Sequence, residues 1–105
     1  MTWKVIYSDE AQKDLQEIYD YIAVILLEPE IAERQSERIM NAADSLISFP
    51  FRYRIYDIEP WRTKGLRILP IDNYIIFYKP NESTNIVQII RIMYGGRDTY
   101  VQLFN

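Results

Sequence analysis

The chain opens with alternating side chains in the manner of a strand. Trp3, Val5 and Tyr7 fall on one side, with Lys4 and Ile6 on the other. This period of two predicts a short, half-buried strand over residues 3–7.

A helical period follows directly. Ser8 is a good N-cap residue, and the acidic Asp9 and Glu10 favour the positive end of a helix dipole. Apolar positions then recur every three or four residues, which predicts an amphipathic helix over about residues 9–27. These positions are Ala11, Leu15, Ile18, Ile22 and Ile25.

A second helix is predicted between two prolines. Glu28 precedes Pro29 and is biased away from helical angles, whereas Pro29 itself suits the first position of a new helix. The same spacing continues up to Pro50, so the two helices are predicted to form an antiparallel hairpin whose stripes cover a sheet. The second stripe comprises Ala32, Gln35, Ile39, Ala42, Leu46 and Phe49.

Beyond Gly65 the pattern becomes that of strands. LRILP, YIIFYK and IVQIIRIMY are separated by the turn segments PIDN and PNESTN, which predicts a three-stranded meander. We therefore expect one α+β domain over residues 1–105, in the order β-α-α-β-β-β with a short C-terminal tail. The helical hairpin is expected to pack on a twisted, mainly antiparallel sheet.

The last strand is apolar on both faces and is predicted to lie inside the sheet. One face carries Ile86, Ile90, Ile92 and Tyr94, and the other carries Val87, Ile89, Arg91 and Met93. An unpaired buried charge is very costly, so Arg91 must either reach the rim of the sheet or pair with a carboxylate. A structural and a functional role both stay open for Arg91.

Charge divides the chain into two halves. The net charge is -3, but residues 1–51 carry four Lys/Arg against ten Asp/Glu, whereas residues 52–105 carry eight against five. The halves are therefore -6 and +3. A basic face able to meet an anionic partner is one interpretation, and ordinary acidic helix surfaces are the other.

The segment FRYRIYDIEPWRTKG interleaves basic and aromatic residues. Arginines that contact phosphates and rings that stack on bases are typical of nucleic-acid surfaces, although rings in a long loop equally pin that loop to the core. The residues concerned are Arg52, Arg54, Arg62 and Lys64, with Tyr53, Tyr56 and Trp61.

The chain has no cysteine and no histidine. Disulfides, thiolate nucleophiles and the usual zinc sites are excluded, and a general acid or base would have to be a carboxylate, a lysine or a tyrosine. No apolar run is long enough to span a bilayer, and the acidic N-terminus is unlike a signal peptide. We expect a cytoplasmic protein with no membrane partner, no cofactor and no metal site.

Four segments in this order resemble the RelE/ParE superfamily of toxins from bacterial type II toxin-antitoxin (plasmid stabilisation) modules. They are VIYSDEAQKDLQEIYDYI, LISFPFR, GLRILPIDNYIIFYKP and IVQIIRIMYGGRD, which together cover nearly the whole chain. The resemblance implies the α+β fold described above. It also implies a cognate antitoxin that wraps the toxin and represses their shared promoter.

Relatives similar to RelE cleave mRNA on the ribosome with lysines and arginines on the central strands and a C-terminal tyrosine or histidine. Aligned with that pattern, this chain has Leu66 and Ile68 where lysines would stand and Ile75 where an arginine would stand. Only Arg97 clearly matches. The remaining nuclease candidates are Arg67, Arg91 and Tyr94, with Tyr100 nearby.

Relatives similar to ParE poison DNA gyrase and end the last strand in a segment much like GGRD. The resemblance therefore favours a growth inhibitor that binds gyrase, with no firm catalytic residue. A ribosome-dependent mRNA endoribonuclease is the enzyme alternative, and a non-toxic interaction module is the third.

Gly95 and Gly96 end the last strand and are expected to present Arg97 at the rim of the sheet, close to Arg67, Arg91, Tyr94 and the loop arginines. This rim is predicted to bind the target or an acidic segment of the antitoxin. The alternative is that Arg97 and Asp98 form a salt-bridged cap. The candidate binding residues are Arg52, Arg54, Arg62, Lys64, Arg67, Arg97 and Tyr100.

Overall fold

The computed structural model describes residues 2–95 and confirms the predicted α+β order. A single sheet of four strands has the order β1-β4-β3-β2, with β1 parallel to β4 and the remaining pairs antiparallel. β4 therefore lies inside the sheet, as its two apolar faces predict. The elements are β1 (Lys4–Tyr7), α1 (Asp9–Asp20), α2 (Pro29–Asp44), α3 (Trp61–Lys64), β2 (Arg67–Ile71), β3 (Tyr74–Asn81) and β4 (Ile86–Tyr94).

The N-cap of α1 also fastens the helix to the sheet. Ser8 Oγ accepts a hydrogen bond from the Ala11 amide at 3.0 Å and donates one to the Ile90 carbonyl at 2.8 Å. The hydroxyl thus satisfies a free amide of the first helical turn and joins α1 to the central strand.

The first helix is shorter than the predicted 9–27. After Asp20 the backbone continues as a π turn over Tyr21–Ile25, closed by a hydrogen bond from the Leu26 amide to the Tyr21 carbonyl at 3.0 Å. A π turn holds more residues than an α-helical turn, so the three-and-four spacing loses its phase there. Ile25, the last position of the predicted stripe, is 66% exposed.

The second helix begins at Pro29 as predicted, but it ends at Asp44 and gives way to a 3-10 turn over Ser45–Ile47. The tighter turn changes the direction of the side chains that follow. Phe49, predicted to complete the stripe, is 78% exposed and has a φ of 56°.

The main core lies between the helical hairpin and one face of the sheet. Its buried residues are Ala11, Ile39, Ala43, Leu46, Leu69, Ile76, Tyr78, Val87, Ile89 and Ile92. A second buried cluster, of Leu66, Ile68, Phe77 and Met93, lies on the other face beneath Tyr56 and Trp61. The loop between α2 and β2 therefore covers the outer face, which is why β4 is apolar on both sides.

A β-bulge breaks the predicted alternation of β4. Phe77 is opposite Arg91 while its neighbour Tyr78 is opposite Ile89, so Ile90 is skipped in the register. One extra residue shifts the following side chains to the opposite face. Ile92 consequently joins Val87 and Ile89 in the main core, whereas the regular alternation placed it with Ile90.

The turns also differ slightly from the prediction. β3 continues through Pro80 and Asn81, which the sequence assigned to a turn, and β2 includes Ile71. Within the described residues, no helix is long and apolar enough to cross a membrane.

Candidate functional site

Arg91, the cation on the central strand, is paired with Asp14 of α1. Arg91 Nε lies 2.7 Å from Asp14 Oδ2, and its Nη2 lies 2.9 Å from Oδ1. The Ile92 amide donates to the same Oδ2 at 3.0 Å. The hydrogen-bonded carboxylate holds the pKa of Arg91 above its usual value, outweighing partial burial.

The pair is largely withdrawn from solvent, since the side chains of Arg91 and Asp14 are 27% and 10% exposed. The sequence prediction for Arg91 left its partner unidentified. The spacing of Asp14 could have identified it as the partner, because Asp14 lies three residues after Ala11 and four before Ile18, on the apolar stripe of the helix. A carboxylate on a buried stripe requires a partner.

Arg67, another nuclease candidate, fastens the loop between α2 and β2. Its Nη1 donates to the carbonyls of Phe51 and Tyr53, at 3.1 and 2.5 Å. The guanidinium also lies over the Phe51 ring, 5.0 Å from its centroid. These contacts give Arg67 a structural role in holding the loop against the strand.

Four further basic candidates lie on that loop and on α3, and we call them the basic loop: Arg52, Arg54, Arg62 and Lys64. Arg52 contacts the Tyr53 ring at 4.8 Å, and Lys64 contacts the Trp61 ring at 5.2 Å. Arg62 lies 3.4 Å from Asp57 in an exposed ion pair. Arg54 is exposed, and its side chain makes no hydrogen bond or ion pair with another residue in the range 2–95.

The predicted rim residues are spread over the sheet. Arg67 is opposite Tyr78, and Tyr78 is opposite Ile89. Tyr94 lies five residues farther along β4, about 16 Å at the rise of a strand. Arg67 and Tyr94 therefore do not share a site, and Arg97 and Tyr100 lie outside the described residues.

Arg91 and Tyr94 do share a groove, which we call the hairpin groove. It has a volume of about 690 Å³ and runs between α1, the π turn and the ends of β3 and β4. Asp14, Glu17, Ile18, Tyr21 and Ile22 recur at three and four residues, so one stripe of the first helix forms its wall. The other lining residues are Leu26, Ile31, Tyr74, Arg91, Ile92, Met93 and Tyr94.

Three tyrosines from different elements meet in this groove. The rings of Tyr74 and Tyr94 pack edge to face with centroids 5.8 Å apart. Burial raises the pKa of Tyr74, and the neighbouring hydroxyls of Tyr94 and Tyr21 raise it further. We call these three residues the tyrosine cluster.

The three positions that the sequence analysis aligned with the catalytic lysines and arginine of RelE-like relatives hold apolar side chains that are largely shielded from solvent. Leu66 and Ile68 are buried and Ile75 is half-buried beneath the outer loop. Over residues 2–95, no group of three or more Asp, Glu, His or Cys side chains could hold a metal ion.

Fold and sequence comparisons define the class of protein. The fold is that of the RelE/ParE superfamily, and residues 5–99 match the profile described as ParE toxin of type II toxin-antitoxin system, parDE. The chain belongs to this ParE toxin family. No protein of curated function matches the sequence.

Solved structures share the fold at low sequence identity. A chromosomal ParDE toxin-antitoxin system from P. aeruginosa aligns with a TM-score of 0.73 and 22% identity, over 90% of this chain and 97% of that one. The toxin-antitoxin complex RelBE2 of Mycobacterium tuberculosis aligns with a TM-score of 0.64 and 18% identity, over 90% and 99%. The isolated E. coli RelE toxin gives 0.57 and 10%, over 97% and 94%.

Proposed function

We propose that this protein is the toxin of a type II toxin-antitoxin module and inhibits bacterial growth by binding DNA gyrase, as one domain without chemistry of its own. Membership of the ParE toxin family supports the toxin assignment. The observation that carries the choice of mechanism is the ion pair between Arg91 and Asp14.

Cleavage of RNA by attack of a 2'-hydroxyl builds negative charge on a phosphate, which positioned cations must stabilise. Here the central-strand cation already has two of its three donating nitrogens on one carboxylate. The strand positions expected to carry further cations hold Leu66 and Ile68. These features support binding over catalysis.

Overall charge supports the same choice. A ribosome presents dense phosphate, and binding to it depends strongly on cations of the protein. This chain has a net charge of -3, and its exposed cations include the four of the basic loop.

We further propose that the basic loop faces the target. Arg54 supports this role most directly, because it is exposed and makes no polar side-chain contact within residues 2–95. The antitoxin is proposed as the second protein partner, since solved structures of the same fold include toxin-antitoxin complexes.

The test compares two reactions with the same purified protein. Inhibition of supercoiling by purified gyrase is expected, together with an early fall in DNA synthesis during pulse labelling of expressing bacteria. Cleavage of mRNA on isolated ribosomes, with early loss of protein synthesis, would instead establish the endoribonuclease. Inactivity in both assays and harmless expression would indicate a non-toxic interaction module.

A charge reversal tests the proposed surface. Arg54→Glu is expected to weaken gyrase inhibition, because it places a carboxylate among the cations of the basic loop. Lys79→Glu is the matched control, since Lys79 is also exposed but lies on β3, outside the loop. Equal inhibition by both variants would remove the basic loop from the interface.

A further inference from the structure

A second cleft, which we call the interhelical cleft, lies between α1 and α2 and has a volume of about 550 Å³. Four residues of each helix line it at the spacing i, i+3, i+4 and i+7, so one stripe of each helix faces the cleft. The lining residues are Gln12, Leu15, Gln16 and Tyr19 of α1 and Glu33, Ser36, Glu37 and Met40 of α2, with Tyr7 at the end of β1.

Two buried hydroxyl groups belong to residues that line this cleft. Tyr7 Oη and Ser36 Oγ are both withdrawn from solvent, and neither makes a hydrogen bond within residues 2–95. Ser36 as a whole is 9% exposed. The large majority of buried polar side-chain atoms are hydrogen-bonded, because their desolvation without a partner is costly. Two such hydroxyls in the lining of one cleft therefore point to a polar ligand.

The charge of the cleft is negative. Glu33 and Glu37 lie four residues apart on its α2 wall, and neither side chain makes an ion pair or a hydrogen bond in the described part of the chain. Arg34 and Arg38 follow the two carboxylates directly, but adjacent residues on a helix do not face each other, and Arg38 is held by Asp72. Like charges at a spacing of four destabilise a helix, and a bound cation would relieve this repulsion.

The α2 wall offers three acceptors to an ammonium group. Glu33, Ser36 and Glu37 occupy one turn of the same helix face. A primary ammonium carries three N–H donors and no acceptor, which matches two carboxylates and one hydroxyl oxygen. A metal ion fits less well, because no group of three or more Asp, Glu, His or Cys side chains in residues 2–95 could hold one.

A second anionic position continues the α2 stripe. Asp44 lies seven residues after Glu37, which is about 10 Å farther along the helix axis. Burial and, to a smaller extent, the nearby Asp44 carboxylate raise the pKa of Tyr7 to about 12. Met40 lies between the two anionic positions on α2, and Leu15 lines the facing wall. A matching ligand therefore has two cations joined by an apolar chain.

We propose that the interhelical cleft binds a linear aliphatic polyamine. One terminal ammonium is held on the α2 wall by the two carboxylates and Ser36 Oγ, the methylene chain packs on Leu15 and Met40, and a second ammonium lies beside Tyr7 Oη. A lysine side chain of a protein carries a single cation and would leave one of the two positions unmatched. The proposal rests on the cleft alone and holds whether or not the protein inhibits gyrase.

A carboxylate variant tests the charge of the site, with spermidine as the probe and calorimetry on the purified whole chain. Glu37→Gln removes one charge at nearly constant size and is expected to weaken spermidine binding about tenfold or more. Glu30→Gln is the matched control, since Glu30 is an exposed acid of the same helix that lies outside the described lining. Equal losses in the two variants would indicate attraction to an acidic surface in general and overturn the proposal.

Hydroxyl variants separate binding from stability. Ser36→Ala and Tyr7→Phe each remove a hydroxyl that has no partner within residues 2–95, so stability should be unchanged or raised. Each is nevertheless expected to weaken spermidine binding about fivefold or more, and spermidine should raise the unfolding temperature of the wild type more than that of either variant. Wild-type affinity in both variants would overturn the proposal.

A compact cation of the same charge tests the two separated positions. Spermidine and hexaamminecobalt(III) are both trivalent, but only spermidine spans the cleft, so it should bind at least tenfold more tightly. Equal affinities would indicate attraction by net charge alone. That result would overturn the proposal, as would tighter binding of a lysine-rich peptide than of spermidine, which would assign the cleft to a protein partner. Absence of any heat of binding and of any thermal shift at a few millimolar spermidine would also overturn it.

Discussion

Arg91 and Asp14 lie 77 positions apart in the sequence and form a bidentate ion pair between the central strand and the first helix. The same carboxylate accepts the Ile92 amide. The Asp14 carboxylate thereby neutralises the Arg91 guanidinium and satisfies the buried Ile92 amide. The ion pair therefore links the first helix to the sheet.

Asp14→Ala is expected to lower the free energy of unfolding by about 3 kcal/mol, because it leaves the Arg91 charge and the Ile92 amide without their partner. Urea denaturation measures the loss. Arg38→Ala is the control, since it removes an exposed bidentate pair, with Asp72, in which the arginine side chain is 60% exposed. Exposed pairs contribute little, so equal losses in the two variants would contradict the structural role of the Asp14 pair.

Two tyrosines with buried hydroxyl groups should respond differently to loss of that hydroxyl. Tyr78 donates to the Pro50 carbonyl at 2.7 Å, and Tyr78→Phe should cost about 1–2 kcal/mol by leaving that acceptor unpaired. Tyr7 Oη is buried without a hydrogen-bond partner in the described part of the chain. Tyr7→Phe should therefore leave stability unchanged or raised, and thermal unfolding of both variants measures the difference.

Stability is expected to fall in alkali between about pH 10 and pH 12. Burial raises the pKa of Tyr7 and of Tyr78 from 10.0 to about 12. In this window the unfolded tyrosines have lost their protons while the folded ones keep them, so the folded state binds more protons and rising pH favours unfolding. Below pH 10 both states are protonated and the contribution is constant.

Urea denaturation at a series of pH values measures this slope. Tyr7→Phe removes one of the two groups and should make the fall shallower between pH 10 and pH 12. A slope identical to that of the wild type would show that the phenol of Tyr7 ionises equally in both states.

Arg67→Ala should loosen the loop between α2 and β2. The change removes the hydrogen bonds to the Phe51 and Tyr53 carbonyls and the contact with the Phe51 ring. A loss of about 1–2 kcal/mol is expected, with faster cleavage of the loop by thermolysin. Arg54→Ala is the control and should leave both measurements nearly unchanged, whereas matching behaviour of the two variants would deny Arg67 its structural role.

The local periods of the sequence determined the elements of the fold. The period of two in residues 3–7 and beyond Gly65, and the three-and-four spacing between them, predicted the strands and the helical hairpin correctly. The same periods gave wrong predictions for the side chains of Ile25, Phe49 and Ile92. A π turn widens the helical repeat at Ile25, a 3-10 turn tightens it before Phe49, and a bulge adds one residue to the strand before Ile92. Such changes of phase depend on packing between elements, which a local period does not contain.

The sequence also determined that Arg91 must either pair with a carboxylate or reach the rim of the sheet. An unpaired charge buried on a strand that is apolar on both faces is very costly. Only the tertiary structure decided that the partner is Asp14, that Arg67 holds a loop, and that Tyr21, Tyr74 and Tyr94 meet in one groove. These contacts join residues far apart in the chain, and their geometry follows from how α1 crosses the sheet.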